Sequence, residues 1–463
     1  MFISKVLIKN YKSIENLNLS FSKGKNIIVG QNNSGKSNII SAINLVLGEK
    51  YPPKTFDENY YHKGNNSFLI ILKLEECNIF DKSFLEEYKK KIAYYVTDDT
   101  DYFMKSSDEI EQECNASWIQ ASQLIEIISS AEATYVSLYN KEGEESIYSI
   151  TVKSNGHFYR LKYVYKEMIA SFMTSAIIPS ERSIKSDLVI NEYSWYGKLI
   201  KNVWKEKIIE HKEEIDENNK KLTQVTDNIF NGLTDELESS VKDAIRYNSI
   251  SFKLIQDTKT DYYKGIKILL DDGYYSLLED KGSGIKSLII IELFKLYCKK
   301  YHKASSCLIV EEPEIFLHPQ ARSVLSKKID QFLNNNENQT IITTHSEQFI
   351  SNFDIRQLIF VTKESGKSQA YKILEKDFNT KEIEKMNIIS STENAEMFFA
   401  DSIILAEGGE KYILTKLAEI YKGPLILNYN NVSIINVGGK SFFEIYKKML
   451  EQLHKRVYIF RRL

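Results

Sequence analysis

The sequence predicts an α/β protein, a parallel sheet with flanking helices followed by a second, shorter α/β unit. Three observations predict it. After residue 286, "SLIIIELFKLYCKK", "CLIVEE", "PQARSVLSKKIDQFL" and "TIITTH" read helix, strand, helix, strand. Near the start, "NIIVGQNNSGKSNIISAINLVLG" reads buried strand, glycine-rich turn and helix. Near the other end, "DSIILAEGGEKYIL" repeats strand, glycine turn and helix, with acids on the turn. At 463 residues the chain exceeds one ordinary core, so two or three domains are expected.

Taken in order, "FISKVLIKN" and "NLNLSF" alternate as half-buried strands do. Strands "SFLIILKLEE", "SIYSITVKS" and "HFYRLKYVY" flank a helical stretch before residue 165. From about Lys185 to Ile245 the text becomes helical and highly charged, with apolar Val203, Ile208, Ile215, Leu222, Val225 and Ile229 at irregular spacing. It reads as a short projecting helical arm, far too short for a long coiled coil, or as a solvated helical layer. Strands return at "SISFKLIQD" and "GIKILLDD", and "KESGKSQA" reads as a hairpin turn. A boundary is expected near Lys376–Ser391. The expected division is 1–184, 185–248, 249–390 and 391–463.

Composition narrows the class. With 43% hydrophobic and 27% charged residues and a formal net charge of −2, the chain suits a soluble globular protein. A strongly basic nucleic-acid binder is not indicated, though a local basic groove is compatible with it. Cys77, Cys114, Cys298 and Cys307 include no CxxC pair, which favours free thiols in a reducing cytoplasm. No apolar run is long enough to span a bilayer and the start has no signal-peptide core, so a cytoplasmic protein without a membrane partner is expected.

The chemistry lies in four stretches. "GQNNSGKSN" fits G-x-x-x-x-G-K-[ST], with Gly30, Asn32, Asn33, Ser34, Gly35, Lys36, Ser37 and Asn38 around a triphosphate. Backbone N–H groups must curl around the phosphates, so glycines must allow close approach. Lys36 would meet the β/γ-phosphates, Ser37 would ligate Mg2+, and the helix N-terminus adds its dipole. In "CLIVEEPEIFLHP" an apolar strand delivers Glu311, assigned to the metal, and Glu312, assigned to polarising the attacking water. In "TIITTHSEQF" His345 follows a strand, placed to sense the γ-phosphate. In "EDKGSGIKSLIII" Ser283 and Gly284 open an apolar helix, a further anion site.

In chain order, P-loop, "KGSG" helix, "VEEPE…LHP" and "TTHS", the four stretches resemble the ABC-type ATPase head shared by SMC-like proteins and the OLD (overcoming lysogenization defect) family. The opening "LIKNYKSIENLNLSF" is similar to their first strand pair, with Lys12 in the usual basic position near the nucleotide. The resemblance implies an ATPase in which two heads sandwich ATP. Ser283 and Gly284 of one protomer would then complete the site around Lys36 of the other, in a homodimer or higher oligomer joined through heads and arm. It also labels the division: a lobe with the P-loop, an arm, and a lobe with the signature, acidic strand and histidine switch. An SMC-like structural ATPase is disfavoured by the shortness of the arm.

"AEMFFADSIILAEGGEKYIL" is similar to the junction where OLD-family chains pass into a Toprim nuclease domain. Glu407 matches the first Toprim glutamate, which with further acids would hold Mg2+ or Mn2+ for phosphodiester cleavage. Two departures stand out. The family's second acid falls at Lys411, with Glu410 one residue earlier, and "KRVYIFRRL" carries Arg461 and Arg462 where the family has aspartates. The expected function is an ATP-regulated DNA endonuclease in defence against phage or foreign DNA, with its nuclease half incomplete. The alternative is an ATPase or DNA-binding regulatory subunit with a dead Toprim, working with a separate nuclease or effector. Arg182 in "AIIPSERS" is read as a structural salt bridge.

Overall fold

The computed structural model describes residues 1–48, 52–76, 88, 91–95, 100–113, 117–120, 131–178, 194–208, eleven positions from 210 to 228, 268–271, 273, 275–300, 305–315, 319–333, 338–346, 354–373, 377–390 and 394–460. The strand expected at "SISFKLIQD", Cys77, Cys114, Arg182, Arg461 and Arg462 lie outside them.

The elements run β1 (Phe2–Tyr11), β2 (Ile14–Ser20), β3 (Lys25–Gly30), α1 (Lys36–Leu47), β4 (Ser67–Glu75), β5 (Lys91–Tyr95), α2 (Ser107–Glu113), β6 (Ser117–Gln120), β7 (Ala133–Lys141), β8 (Ile147–Ser154) and β9 (His157–Leu161). They continue with α3 (Lys166–Phe172), β10 (Met173–Ile178), α4 (Trp195–Ile208), β11 (Leu269–Asp271), β12 (Tyr275–Leu277), α5 (Ser283–Lys300), β13 (Ser305–Glu311), α6 (Pro319–Leu333) and β14 (Gln339–Thr344). Last come β15 (Leu358–Glu364), β16 (Lys367–Lys372), α7 (Thr380–Ile389), β17 (Ser402–Ala406), α8 (Glu410–Lys422), α9 (Ile426–Tyr429), β18 (Val432–Asn436), α10 (Phe443–Gln452) and β19 (Arg456–Phe460).

The chain divides into two compact units. One comprises Ile184–Lys281 and holds α4 and the antiparallel pair β11–β12. The other, Met1–Ser183 with Gly282–Leu463, holds all the remaining elements.

Within the larger unit, the strands order as β10-β13-β14-β3-β15-β16, parallel except for β16. The expected parallel sheet is therefore present, and its central strands are apolar runs buried on both faces. A second, antiparallel sheet orders as β2-β1-β4-β7-β8-β9-β5-β6. Helix α1 joins the two. Its Ile39, Ile40, Ile43, Val46 and Leu47 share one core with Val6, Ile8, Ile70 and Leu72 of the antiparallel sheet and Ile28, Ile309 and Ile341 of the parallel one.

Alternation along β3 sends its neighbours the other way. Ile27 and Val29 pack with Leu358 and Phe360 against Phe398, Ile403, Leu405, Tyr446 and Leu450. The C-terminal segment is thus cored on the back of the parallel sheet. Its own sheet, β18-β17-β19, is parallel throughout. Helix α8 buries none of its residues, and Tyr412, Ile420 and Tyr421 stand exposed. No described helix is long and apolar enough to cross a membrane.

Candidate functional site

Three parallel strands end at one edge of the sheet, and their ends carry the predicted chemistry. β3 ends at Gly30, β13 at Glu311 and β14 at Thr344. Ligands of open α/β sheets bind at such carboxyl ends.

The loop after β3 needs its glycines. Gly30 has φ 155° and Gly35 φ 110°, while Asn33 takes a left-handed φ of 62°. A Cβ on Gly30 would lie 2.1 Å from the Val361 carbonyl oxygen, and one on Gly35 2.1 Å from Ser368 Oγ. Gly35 caps α1 without a side-chain hydrogen bond, and no acid sits in the helix's first turn. The N-terminus of α1 is therefore electrostatically suited to phosphate. Asn32, Asn33 and Ser37 are exposed. Lys36 is buried, its Nζ donating to the carbonyls of Gly30 (2.9 Å) and Gln31 (2.8 Å). Burial pushes its ammonium down to about 8, against the pull of Glu312, Glu314 and Glu311.

The acids face this lysine. Glu311 lies opposite Thr343 of β14. Glu312 has a left-handed φ of 42°, and its N–H donates to the Thr343 carbonyl at 2.9 Å. Such a backbone costs about 1 kcal/mol or more, and it turns the side chain off the strand's end. Glu312 Oε1 is 3.5 Å from His345 Nε2. Burial and nearby Lys36 lower the His345 pKa, with Glu314 opposing, so its imidazole is neutral at pH 7. Lys12 has a φ of 51° and carries its ammonium between the rings of Tyr11 and Tyr60, at 5.3 and 4.9 Å. Burial lowers its pKa, and Glu311 partly offsets this.

Glu314 lies inside the same acidic run. It is buried, and its Oε1 accepts from Thr344 Oγ1 (2.8 Å) and the His345 N–H (2.6 Å). It fixes the switch loop against the acidic loop. Glu314→Ala is expected to cost about 1–3 kcal/mol in urea unfolding and to lower ATP turnover by freeing His345. Glu314→Gln, which keeps a carbonyl acceptor, should lose less on both counts.

Lys12, the loop, Glu311, Glu312 and His345 are thus brought together within one chain. Ser283 and Gly284 open α5, which packs on β10, with β13 and β14 between that strand and β3.

The second acidic turn sits at the end of β17. Glu407 precedes Gly408, whose φ is 73°, and Glu410 opens α8. Asn436 at the end of β18 accepts from the N–H groups of Gly408 (2.9 Å) and Gly438 (3.0 Å), pinning both glycine turns. Lys411 pairs with Glu396 at 2.8 Å. Among the described residues no three His, Cys, Asp or Glu side chains cluster to hold a metal. Two carboxylates are a poor fit to a nuclease metal centre. At the loop the fit is better, since Ser37, Glu311 and a triphosphate make the mixed donor set Mg2+ prefers.

Contacts that sequence reading missed tie the two regions. Gln31 Nε2 donates to Asp401 Oδ1 at 2.5 Å. The His345 ring stacks on Phe399, with centroids 6.2 Å apart. Lys455 lays its ammonium 3.7 Å from the centre of the Phe360 ring while donating to the carbonyls of Phe398 (3.1 Å) and Ala400 (2.5 Å), and burial pushes it down to about 7. No local pattern announces such pairs, because their members are far apart in the chain.

Comparison with known proteins identifies the domains that carry these turns. Residues 398–461 match the Overcoming lysogenization defect protein-like TOPRIM domain. The chain is 23% identical over 474 residues to Endonuclease GajA of Bacillus cereus (strain VD045), across 96% of this chain and 72% of that one. It is 22% identical over 465 residues to the Old nuclease of Escherichia phage P2, across 95% and 73%. It is 24% identical over 213 residues to the OLD nuclease of Thermus scotoductus, across 44% and 39%. The expected ATPase followed by an OLD-like Toprim region is therefore met. With residues 1–350 matching its model, the chain belongs to the AAA ATPase domain family.

Proposed function

We propose that this protein hydrolyses ATP to control endonucleolytic cleavage of DNA, in cytoplasmic defence against phage or other foreign DNA. The observation that carries the ATPase is the meeting of Lys36, Glu311, Glu312 and His345 at one edge of a parallel sheet. In this reading the loop from Gly30 to Ser37 and Lys12 bind the triphosphate, with Asn38, its amide bonded to Ser13, bracing the loop. Glu312 polarises the attacking water, and neutral His345 hydrogen-bonds the γ-phosphate. Mg2+, held by Ser37 and Glu311, would neutralise phosphate charge.

Ser283 and Gly284 lie on a helix away from the loop, which supports the reading that a second copy supplies them across a head-to-head homodimer. The division 1–184, 185–248, 249–390 and 391–463 is proposed as P-loop lobe, arm, signature and switch lobe, and Toprim-like region. The names of its relatives, an endonuclease and two nucleases, support the cleavage. Glu407 and Glu410 are proposed to hold Mg2+ or Mn2+ there, a pair that needs further acids to complete the centre.

A second reading has its own support, the lack of a third acid beside Glu407 and Glu410 among the described residues. Here the chain is an ATPase or DNA-binding regulatory subunit whose separate nuclease or effector does the cutting. Supercoiled plasmid incubated with the purified chain, ATP and Mg2+ or Mn2+ separates the two. Nicking that Glu407→Ala removes is expected under the first. Intact ATP turnover with no nicking would sink the first and leave the second.

A further inference from the structure

We propose that Ser368, backed by Ser13 and Asn38, is a positioning residue for ATP binding: the β15–β16 hairpin holds the nucleotide loop in its phosphate-binding curl from outside. The proposal deepens the ATPase reading above and rests on it.

The hairpin is tight. Glu364 pairs with Lys367, and the intervening Ser365 and Gly366 have φ of 50° and 84°, the twist that two-residue hairpin turns require. Just beyond this turn, Ser368 is 1% exposed. Its hydroxyl donates to the Ser34 carbonyl at 2.7 Å, and its N–H donates to the Ser13 carbonyl at 3.0 Å. Ser13 Oγ is 2.7 Å from Ser368 Oγ, and Asn38 Nδ2 donates to Ser13 Oγ at 2.7 Å.

A hydroxyl carries one proton. That of Ser368 goes to Ser34, so Ser13 must donate to Ser368, and Asn38 donates to Ser13. The relay runs one way, from the first turn of α1, through the β1–β2 turn and the hairpin, back to the loop. Asn38, expected at the nucleotide, thus has its amide directed at Ser13 instead.

What the relay fixes is a peptide plane. In a trans peptide the carbonyl and the following N–H point in opposite directions, and the chain has no cis bond among its described residues. Anchoring the Ser34 oxygen on Ser368 therefore aims the Gly35 N–H away from the hairpin. Gly35 sits at a φ of 110°, which glycine reaches freely and leaves as freely. Both end glycines of the motif are also abutted by this hairpin, Gly30 by the Val361 carbonyl and Gly35 by Ser368. Ser13 follows Lys12 directly, so the same relay anchors the turn that bears Lys12.

Preorganisation of this kind appears in affinity more than in turnover. Ser368→Ala is expected to raise the Kd for a fluorescent ATP analogue, and the KM for ATP, by about five- to tenfold. The kcat at saturating ATP should fall by less than KM rises. Ser13→Ala, which leaves the Ser368–Ser34 bond in place, should give a smaller rise in Kd. The double variant should be no worse than Ser368→Ala alone, because the bonds lie in series.

An analogue Kd within about twofold of wild type in Ser368→Ala, whatever its Tm, overturns the proposal. Additive rises in the double variant overturn the relay. Should Ser368→Ala not fold, an unchanged Kd in Ser13→Ala overturns it equally. Lys36→Ala is the control. ATP turnover surviving there would overturn the placement of ATP at this loop, and no turnover by the wild type would overturn the ATPase reading itself, each a different failure.

Discussion

Lys36→Ala is expected to abolish ATP binding and to lower kcat/KM for hydrolysis by about 10²–10³ or more, the scale of removing a preorganised charge from a reacting phosphate. The Lys36 ammonium is buried and rests on the Gly30 and Gln31 carbonyls, so it is already aimed along the loop. Alanine removes both the charge and the clasp. Equilibrium titration with labelled ATP checks the first and steady-state phosphate release the second. Near-normal affinity in this variant would mean the loop does not hold a triphosphate.

The same lysine predicts a pH dependence for the wild type. Burial places its pKa at about 8, and a bound triphosphate favours the charged form. Below that pH the group is already protonated, so affinity is flat. Above it a proton must be taken up on binding, and affinity falls by up to about tenfold per pH unit. Folding stability runs the other way. The cost of burying the charge is fully present below about 8 and is relieved as pH rises toward the ordinary 10.5.

Glu312→Gln is expected to bind ATP and fail to split it, with kcat falling about 10²–10⁴-fold. Glutamine keeps the length and the backbone hydrogen bond to Thr343. It removes the charge beside the neutral His345 ring, and with it the pull on a water. Stoichiometric, slowly released ATP in a filter-binding assay would accompany the loss of turnover. Normal hydrolysis would move the role to another acid.

Contiguous chemistry was legible in the sequence and long-range chemistry was not. The loop from Gly30 to Asn38, the acids ending β13 and His345 after β14 are each written within about ten residues, with hydrophobic period fixing the strand beside them. The parallel sheet followed from the same pattern. The antiparallel sheet was visible only as separate strands, because β1 pairs with β4 and β9 with β5 across long connections. Glu314 stood in plain view, yet its role depends on where the Thr344 hydroxyl lies. Ser13 and Ser368 are 355 residues apart, and the hairpin turn between Ser365 and Gly366 said nothing of what its next serine would touch.

Gln31 grips Asp401, and Asp401 stands at the foot of β17, whose head carries Glu407. The strand is five residues long, a rod of roughly 17 Å, flanked by β18 and β19 and unable to stretch. With the His345 ring stacked on Phe399 at the same foot, the nucleotide loop and its switch both touch one end of this rod. A displacement of the loop on nucleotide binding would reach the glycine turn along this strand as a translation rather than a bend. The clock and the blade would share a shaft, and tuning the foot at Asp401 would retime the turn without touching either set of carboxylates.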